Sequence, residues 1–361
     1  KPEKLIFGKE YENLKDKDIL RAIERVKKYN GQILYHAGEI NYASIDLLLA
    51  SENVLTNKRK SQLLNTLKRQ NLTKEILLNS LENWNSAKLL VIGDSILDQY
   101  AACEALGLSA EAPVVVVREL AKKNYIGGAS IVAAHIAALG AQCEFISVVG
   151  DDDVAEILRK DINQNNIKAN LLVDSSRPTT FKKRYFVENQ KLFRVSNLED
   201  HFISQDIEER IISLLKEKAQ YINGIVVSDF LYGVITPCIL ETIYKLADRF
   251  NLMIFGDLQC SSQVGSITKF KNFSLLCPNE KEARIALQDN NSGLETLSLK
   301  LIENTKSERL IMKLGADGFI SYDRNDYGEL QSQSFPALSV NPVDVAGAGD
   351  SLLAAMACGL T

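Results

Sequence analysis

The sequence is poor in the residues that build metal and disulfide sites. Its 361 residues include three histidines and six cysteines, and no two cysteines form a Cys-x-x-Cys pair. Cys103, Cys143, Cys238, Cys260, Cys277 and Cys358 are scattered, which fits reduced thiols in a cytoplasmic protein and argues against a disulfide framework or a zinc site. No histidine–cysteine cluster has metal-ligand spacing. No apolar run approaches the ~18 residues of a membrane span. Lys1-Pro2-Glu3-Lys4 leads into no apolar signal core. Basic excess is missing too: 42 Lys and Arg face 46 Asp and Glu, for a net charge of −4. A mixed, mildly acidic surface excludes a general nucleic-acid binder. A Gly-x-Ser-x-Gly elbow and a Walker A loop are likewise absent.

Hydrophobic residues make up 46% and charged residues 24%, so the chain is globular rather than disordered. Its length suits two domains, or one large α/β domain with an insertion. The first residue is not Met, and the last ones, Gly359-Leu360-Thr361, follow an apolar small-residue helix that needs a packing partner. The expectation is a piece of a longer protein.

Residues 1–44 read as a short α/β piece: a strand at Leu5–Gly8, a helix over Asp18–Tyr29 with apolar residues at 19, 20, 23 and 26, and a strand at Gln32–Tyr35. Residues 45–86 read as helical and polar, with Lys58-Arg59-Lys60 as a solvated face and Thr73 as an N-cap. From Ala87 strands and helices alternate. Strands fall at Lys88–Gly93, Cys143–Val149, Gly224–Ser228, Leu252–Asp257 and Leu310–Lys313. Helices fall at Ala129–Leu139, Ser204–Lys218 with Ser204 as N-cap, Thr236–Phe250 and Asn279–Leu287. This order predicts an α/β fold with a doubly wound, mostly parallel sheet. Hairpin-like pieces near 95–118, with β-branched Pro113–Val117, and 170–196 fall outside the alternation and predict a small β-lid over the carboxyl edge of the sheet.

The most specific local signal is Asn341-Pro342-Val343-Asp344-Val345-Ala346-Gly347-Ala348-Gly349-Asp350-Ser351, running into an apolar helix. Glycines let the backbone approach a ligand, and the first helical amides are unpaired, so this turn suits an anion, above all a phosphate. A carboxylate there would repel phosphate. Asp350 makes sense if it takes a proton from an attacking hydroxyl while the amides of Gly347, Ala348 and Gly349 hold the transferring phosphoryl group. A structural N-cap is the alternative reading of Asp350. A dinucleotide fingerprint fails, since its third glycine position is Leu352. His135, on an apolar helix, reads as a core or helix-edge histidine.

Asp344–Asp350 resembles the Asp-Thr-x-Gly-Ala-Gly-Asp signature of the ribokinase-like (PfkB) sugar kinase family. Upstream, Gly93–Asp98, Gly127-Gly128-Ala129-Ser130, Val149–Asp152, Ser228–Gly233, Cys277–Glu282 and Lys313–Gly318 resemble the family's other motifs in order, over residues 87–361. Ser109–Val114 and the pattern Lys182, Arg184, Asn189, Gln190, Arg194 are most similar to the kinase half of bifunctional heptose-phosphate kinase/nucleotidyltransferases. Lys1–Tyr11, Gly31–Ile33 and Tyr42–Ser44 resemble the end of a cytidylyltransferase-like domain, without its His-x-Gly-His motif. The domains implied are 1–57 (the tail of a nucleotidyltransferase), 58–86 (a helical connector) and 87–361 (a C-terminally incomplete kinase).

The resemblance implies ATP-dependent phosphorylation of a sugar or sugar phosphate in the cytoplasm, with no nucleic-acid or membrane partner and a homodimer formed through the β-lid. Asp94, Asp98, Gly127, Gly128 and Ser130 would orient the sugar. Lys182, Arg184 and Arg194 would meet a substrate phosphate. Asn279, Glu282, Lys313, Gly315 and Gly318 would contact the nucleotide. Glu282 and Asp344 would attend a Mg²⁺ held mainly by ATP phosphates and waters, and the family pattern leaves room for a monovalent cation. The chain departs from the pattern at Val345 and Ala346, which bring no hydroxyl, at Ser130, at Gly256–Gln259, and at Lys313, where a small hydroxyl residue is common. Two other readings stay open: a kinase for another sugar or a nucleoside, and a weakly catalytic sugar- or nucleotide-binding scaffold.

Overall fold

Apolar residues in short β-branched runs, separated by amphipathic helices, can bury both faces of a sheet only if the helices cross over it. A computed structural model describes residues 4–7, 17–29, 31–35, 52–165, 167–188, 190–259, 265–325, 327–339 and 345–361. Two units are present, residues 1–66 with 338–340 and residues 67–337 with 341–361. In the first, β1 (Lys4–Phe7) and β2 (Gln32–Tyr35) pair in parallel, and the crossover between them contains α1 (Lys17–Lys27), whose Val26 is buried. Helix α2 (Glu52–Arg69) runs without a break through residues 57 and 58. Helix α3 (Lys74–Asn83) starts where predicted, with the Thr73 hydroxyl oxygen accepting the amide of Ile76.

The second unit holds β3 (Lys88–Gly93), β4 (Ser95–Leu108), β5 (Val115–Gly128), α4 (Ala129–Ala138), β6 (Gln142–Val149), α5 (Asp153–Gln164), β7 (Lys168–Val173), β8 (Phe181–Val187), β9 (Gln190–Asn197), α6 (Gln205–Lys218) and β10 (Gly224–Asp229). It continues with α7 (Pro237–Phe250), β11 (Met253–Leu258), β12 (Leu275–Leu276), α8 (Glu280–Leu287), α9 (Leu294–Thr305), β13 (Arg309–Lys313), β14 (Phe319–Arg324), β15 (Leu330–Phe335) and α10 (Ala348–Leu360). Nine of these strands form one sheet in the order β15-β14-β13-β12-β11-β10-β3-β6-β7, parallel from β13 to β7 and antiparallel at β14 and β15. Side chains alternate across it as a period of two requires. Leu90 and Ile92 pack with α6, α7 and α9 on one face; Leu89 and Val91 pack with α4, α5 and α10 on the other. No helix among the described residues is long and apolar enough to cross a membrane.

The lid is a second sheet, β5-β4-β8-β9, and it is larger than the sequence suggested. Strand β5 continues from the valine run through the mostly polar residues 118–125, most of them exposed, where no alternation marks a strand. Residues 170–173, grouped by sequence with the lid, instead belong to β7 (Lys168–Val173) at the edge of the main sheet beside β6. Ser204 stands at the N-cap of α6, but its side chain makes no capping bond.

Asp94, at the carboxyl end of β3, is the joint between these parts. Its carboxylate accepts the backbone amides of Phe230, at 2.7 Å, and of Tyr232 and Val234, both at 3.3 Å. Its carbonyl accepts the amide of Ala129, the first residue of α4. The turn after β10 needs this hold, because Leu231 sits at φ +64, a conformation costly for a branched residue. Gly128 sits at φ +62, and a Cβ there would lie 2.2 Å from the Asp94 carbonyl oxygen. Asp94→Ala would leave three inward amides without an acceptor. We expect it to destabilise the protein by about 3 kcal/mol, read as a lower urea midpoint at unchanged m-value.

Candidate active site

Helix α10 starts at the carboxyl edge of the sheet because Gly347, its N-cap, takes φ +78, which turns the chain into the helix. Its first amides therefore open at the edge where parallel α/β sheets bind ligands. Asp350 lies in this first turn and is 6% exposed. Its Oδ1 accepts Nε2 of Gln259, at 2.9 Å, from the loop after β11. Burial pushes its carboxyl up to about 7; Asp257 and Asp98 add to the rise, while Lys313 and the Gln259 bond oppose it.

Asp350, Gly347 and Ala348 open into a cleft of about 680 Å³. Gly127, Gly128 and Asp98 line it from the lid side, and Lys182, Arg184 and Arg194 from β8 and β9. Asp98 forms an ion pair with Arg184. A Cβ at Gly127 would lie 2.5 Å from Oδ2 of Asp98, so only glycine leaves that carboxylate in place. The Lys182 ammonium lies 5.5 Å and 5.0 Å from the ring centroids of Phe230 and Tyr232.

A second cavity, of about 530 Å³, is lined by Asn279, Lys313 and Gly315 among others. Lys313 bonds both carboxylate oxygens of Asp257, at 2.7 Å and 2.9 Å. A Cβ at Gly349 would lie 3.2 Å from the Lys313 ammonium. The first turn of α10 thus has Asp350 in the cleft and Gly349 against the charge pair that borders the second cavity.

Several predicted residues make bonds that build the frame. Asp94 does not line the cleft: its carboxylate holds the turn after β10. Ser130 is fully buried, and its hydroxyl donates to the Gly127 carbonyl, which shapes the glycine loop from behind. Asn279 and Glu282 form a capping box that starts α8: Asn279 Oδ1 accepts the Glu282 amide, and Glu282 Oε2 accepts the Asn279 amide. Gly318 closes the turn before β14, where a Cβ would meet the Phe335 carbonyl oxygen at 2.0 Å, and it does not line the second cavity. Asp344 lies outside the described residues. Among those residues no group of three or more His, Cys, Asp or Glu side chains could hold a metal ion.

The sequence reading missed Gln259 as a site residue and gave His135 no part in the site. Of the two readings of His135, core or helix edge, the structure shows the second: it is half-buried, lines the cleft, and its Nε2 lies 2.9 Å from Oγ of Ser351, the residue after Asp350. Partial burial lowers its pKa, which favours the neutral ring. The signal was available, since Gly128, Ile131 and His135 follow helical spacing and all three line the cleft.

Residues 86–361 match the family described as pfkB family carbohydrate kinase. Among curated proteins, the chain is 33% identical over 273 residues to the bifunctional protein HldE of Campylobacter jejuni subsp. doylei, covering 75% of this chain and 56% of that one. It is 33% identical over 276 residues to HldE of Geobacter sulfurreducens, covering 75% and 54%. The chain spans about half the length of these relatives. Among solved structures, Escherichia coli phosphofructokinase-2 superposes with a TM-score of 0.59 at 18% identity, over 75% of this chain and 85% of that one. Thermotoga maritima ribokinase superposes at 0.56 and 20% identity, over 76% and 86%. Such identities speak to the fold alone, and the fold is the ribokinase-like one. The match over residues 86–361, with the parallel sheet, the four-stranded lid and the cleft between them, makes this chain a member of the pfkB family of carbohydrate kinases.

Proposed function

We propose that this chain transfers the γ-phosphoryl group of ATP to a hydroxyl of a sugar that already carries a phosphate. In this reading residues 87–361 are the kinase part of a longer protein with two activities, and residues 1–57 and 58–86 are the tail of a nucleotidyltransferase domain and a connector. The relatives called bifunctional HldE support the second activity. One observation carries the reading: Asp350 is a buried carboxylate at the open-amide end of α10, in the same cleft as Asp98 and three cationic side chains.

The substrate hydroxyl gives its proton to Asp350 as its oxygen attacks the γ-phosphorus. A new oxygen–phosphorus bond forms, the bond to the bridging oxygen of ADP breaks, and the leaving electron pair stays on ADP. The amides of Gly347 and Gly349 face the charge on the transferring group, and that of Ala348, which donates to the Val345 carbonyl at 3.3 Å, joins them by giving up that long bond. Asp98 accepts a sugar hydroxyl once Arg184 is shared with the substrate. A Mg²⁺ held by the ATP phosphates and water would offset phosphate charge. Glu282, engaged in its capping box, is at most an outer neighbour, and the described residues offer no place for a metal centre built from side chains alone. A reaction that consumes ATP suits the cytoplasm, and so do Cys143 and Cys358, which are free thiols. The lid carries exposed Leu108, Val115, Leu120 and Phe193, with Leu108 72% exposed, and a second copy would cover such a sheet.

A screen for ADP release against a panel of sugars and sugar phosphates tests the activity. Asp350→Asn keeps the shape and removes the base, so kcat should fall on the order of 10²–10⁴-fold. In the parent protein the acidic limb of kcat/KM should lie near pH 7, where Asp350 titrates, and not near 4. Near-normal turnover of the variant would show that Asp350 is not the base.

The cations separate the substrate classes. Arg184→Ala also strips Asp98 of its partner, so it should weaken sugar and sugar phosphate alike. Arg194→Ala leaves Asp98 paired and should reduce kcat/KM for the sugar phosphate about 10- to 100-fold, with little change for the free sugar. Equal losses on both substrates with Arg194→Ala would count against a phosphate subsite there.

A further inference from the structure

The Asp257–Lys313 pair has no part in the mechanism so far. Both side chains are largely buried, at 1% and 15% exposed, and burying two charges is often no better for stability than burying two apolar groups. The position of the pair argues for another role. Asp257 is the last residue but one of β11 and Lys313 ends β13, so both stand at the carboxyl edge beneath the first turn of α10. The ammonium reaches that turn only because residue 349 has no side chain, and it borders the second cavity. An ammonium has three protons. Asp257 takes two, and no protein acceptor for the third is found among the described residues.

We propose that Lys313 is a resident cation of the phosphoryl-transfer site, held by Asp257 so that its remaining proton meets an oxygen of the γ-phosphate at the amides of α10. This deepens the kinase reading and rests on it. The charges around the ammonium support it. Burial pulls the Lys313 pKa down, but the carboxylates of Asp257 and Glu282, with the Cys277 thiol beyond, raise it above its ordinary value, so the cation persists at any working pH. When the γ-phosphate arrives, Lys313 stays charged and is shared between Asp257 and the phosphate. No proton moves to or from it, and the group transferred is the one already described. Asp350, faced by Asp257, Lys313, Asp98 and Gln259, senses the same pair: Lys313 eases its ionisation and Asp257 resists it.

The test uses Lys313→Met and the double variant Asp257→Asn/Lys313→Met, which leaves no lone buried charge. Thermal unfolding is measured first, and if the single variant does not fold, the double variant carries the binding test. Titration calorimetry with Mg·ATP and Mg·ADP then reads the γ-phosphate directly, without turnover. We expect the lysine variants to lose about 10- to 100-fold in ATP affinity and less than about threefold in ADP affinity. In kcat/KM profiles the acidic limb should move to higher pH in Lys313→Met and to lower pH in Asp257→Asn. An unchanged ratio of ATP to ADP affinity would overturn the proposal and leave the pair a structural tie. If the ratio falls as expected but no sugar or sugar phosphate is turned over by the parent protein, the kinase reading fails and the γ-phosphate contact stands. If the parent binds neither nucleotide, both fall.

Discussion

Three backbone amides converge on one buried carboxylate, that of Asp94, and the shape of the cleft follows from that convergence. The amides belong to the turn after β10, which carries Phe230 and Tyr232 beneath the Lys182 ammonium. The carbonyl of the same residue starts α4, and with it the glycine loop that leaves room for Asp98. One residue at the end of β3 thereby positions two walls of the site without touching its interior. Burial and the neighbouring Asp229 carboxylate push the Asp94 carboxyl up, against the pull of the three amides. The turn it holds contains a left-handed leucine that an unanchored loop would not keep.

Electrostatics at the second wall follow a different logic. Asp98 is answered by Arg184, Asp257 by Lys313, and Asp350 by no ion pair of its own among the described residues. Asp350 receives a neutral amide from Gln259, which orients the carboxyl and stabilises its ionised form less than a cation would. Asp98 and Asp257 are each balanced by a direct counter-ion, whereas the carboxyl at the open end of α10 is balanced by a neutral donor. An acid set up this way can exchange a proton near neutral pH.

Much of this was legible in the sequence, for identifiable reasons. Strands such as Lys88–Gly93 and Gly224–Asp229 announce themselves because a strand buried on both faces must be continuously apolar. The glycine turn before Asp350 is equally plain, since phosphate binding restricts both its backbone and its spacing. Strand β5 was not legible beyond its valines, because a lid strand open to solvent on both sides is free to be polar. The inward bonds of Asp94 and Ser130 were not legible for another reason: a motif records which residues gather at a site, not which way each points. Gln259 and Asp350 are 91 positions apart, as Lys313 and Asp257 are 56, and only the order of strands in the sheet brings them together.

A buried carboxyl poised near neutrality costs stability. The Asp350 carboxyl is raised to about 7 in the fold, against 3.8 for the ordinary carboxyl of an unfolded chain. Between those two values the folded protein binds more protons than the unfolded one, so stability falls as pH rises through that window. The full displacement corresponds to a loss on the order of 4 kcal/mol above pH 7, comparable to a large part of the net stability of many domains. Lys313 and Gln259 already oppose the rise, so without them the loss would be larger. Replacing Asp350 by a neutral residue would remove that cost. A buried carboxyl with no counter-ion, kept at the mouth of a helix at that expense, is better explained by proton transfer than by a cap, since a solvated Asp or Ser at that end would cap the helix without the penalty.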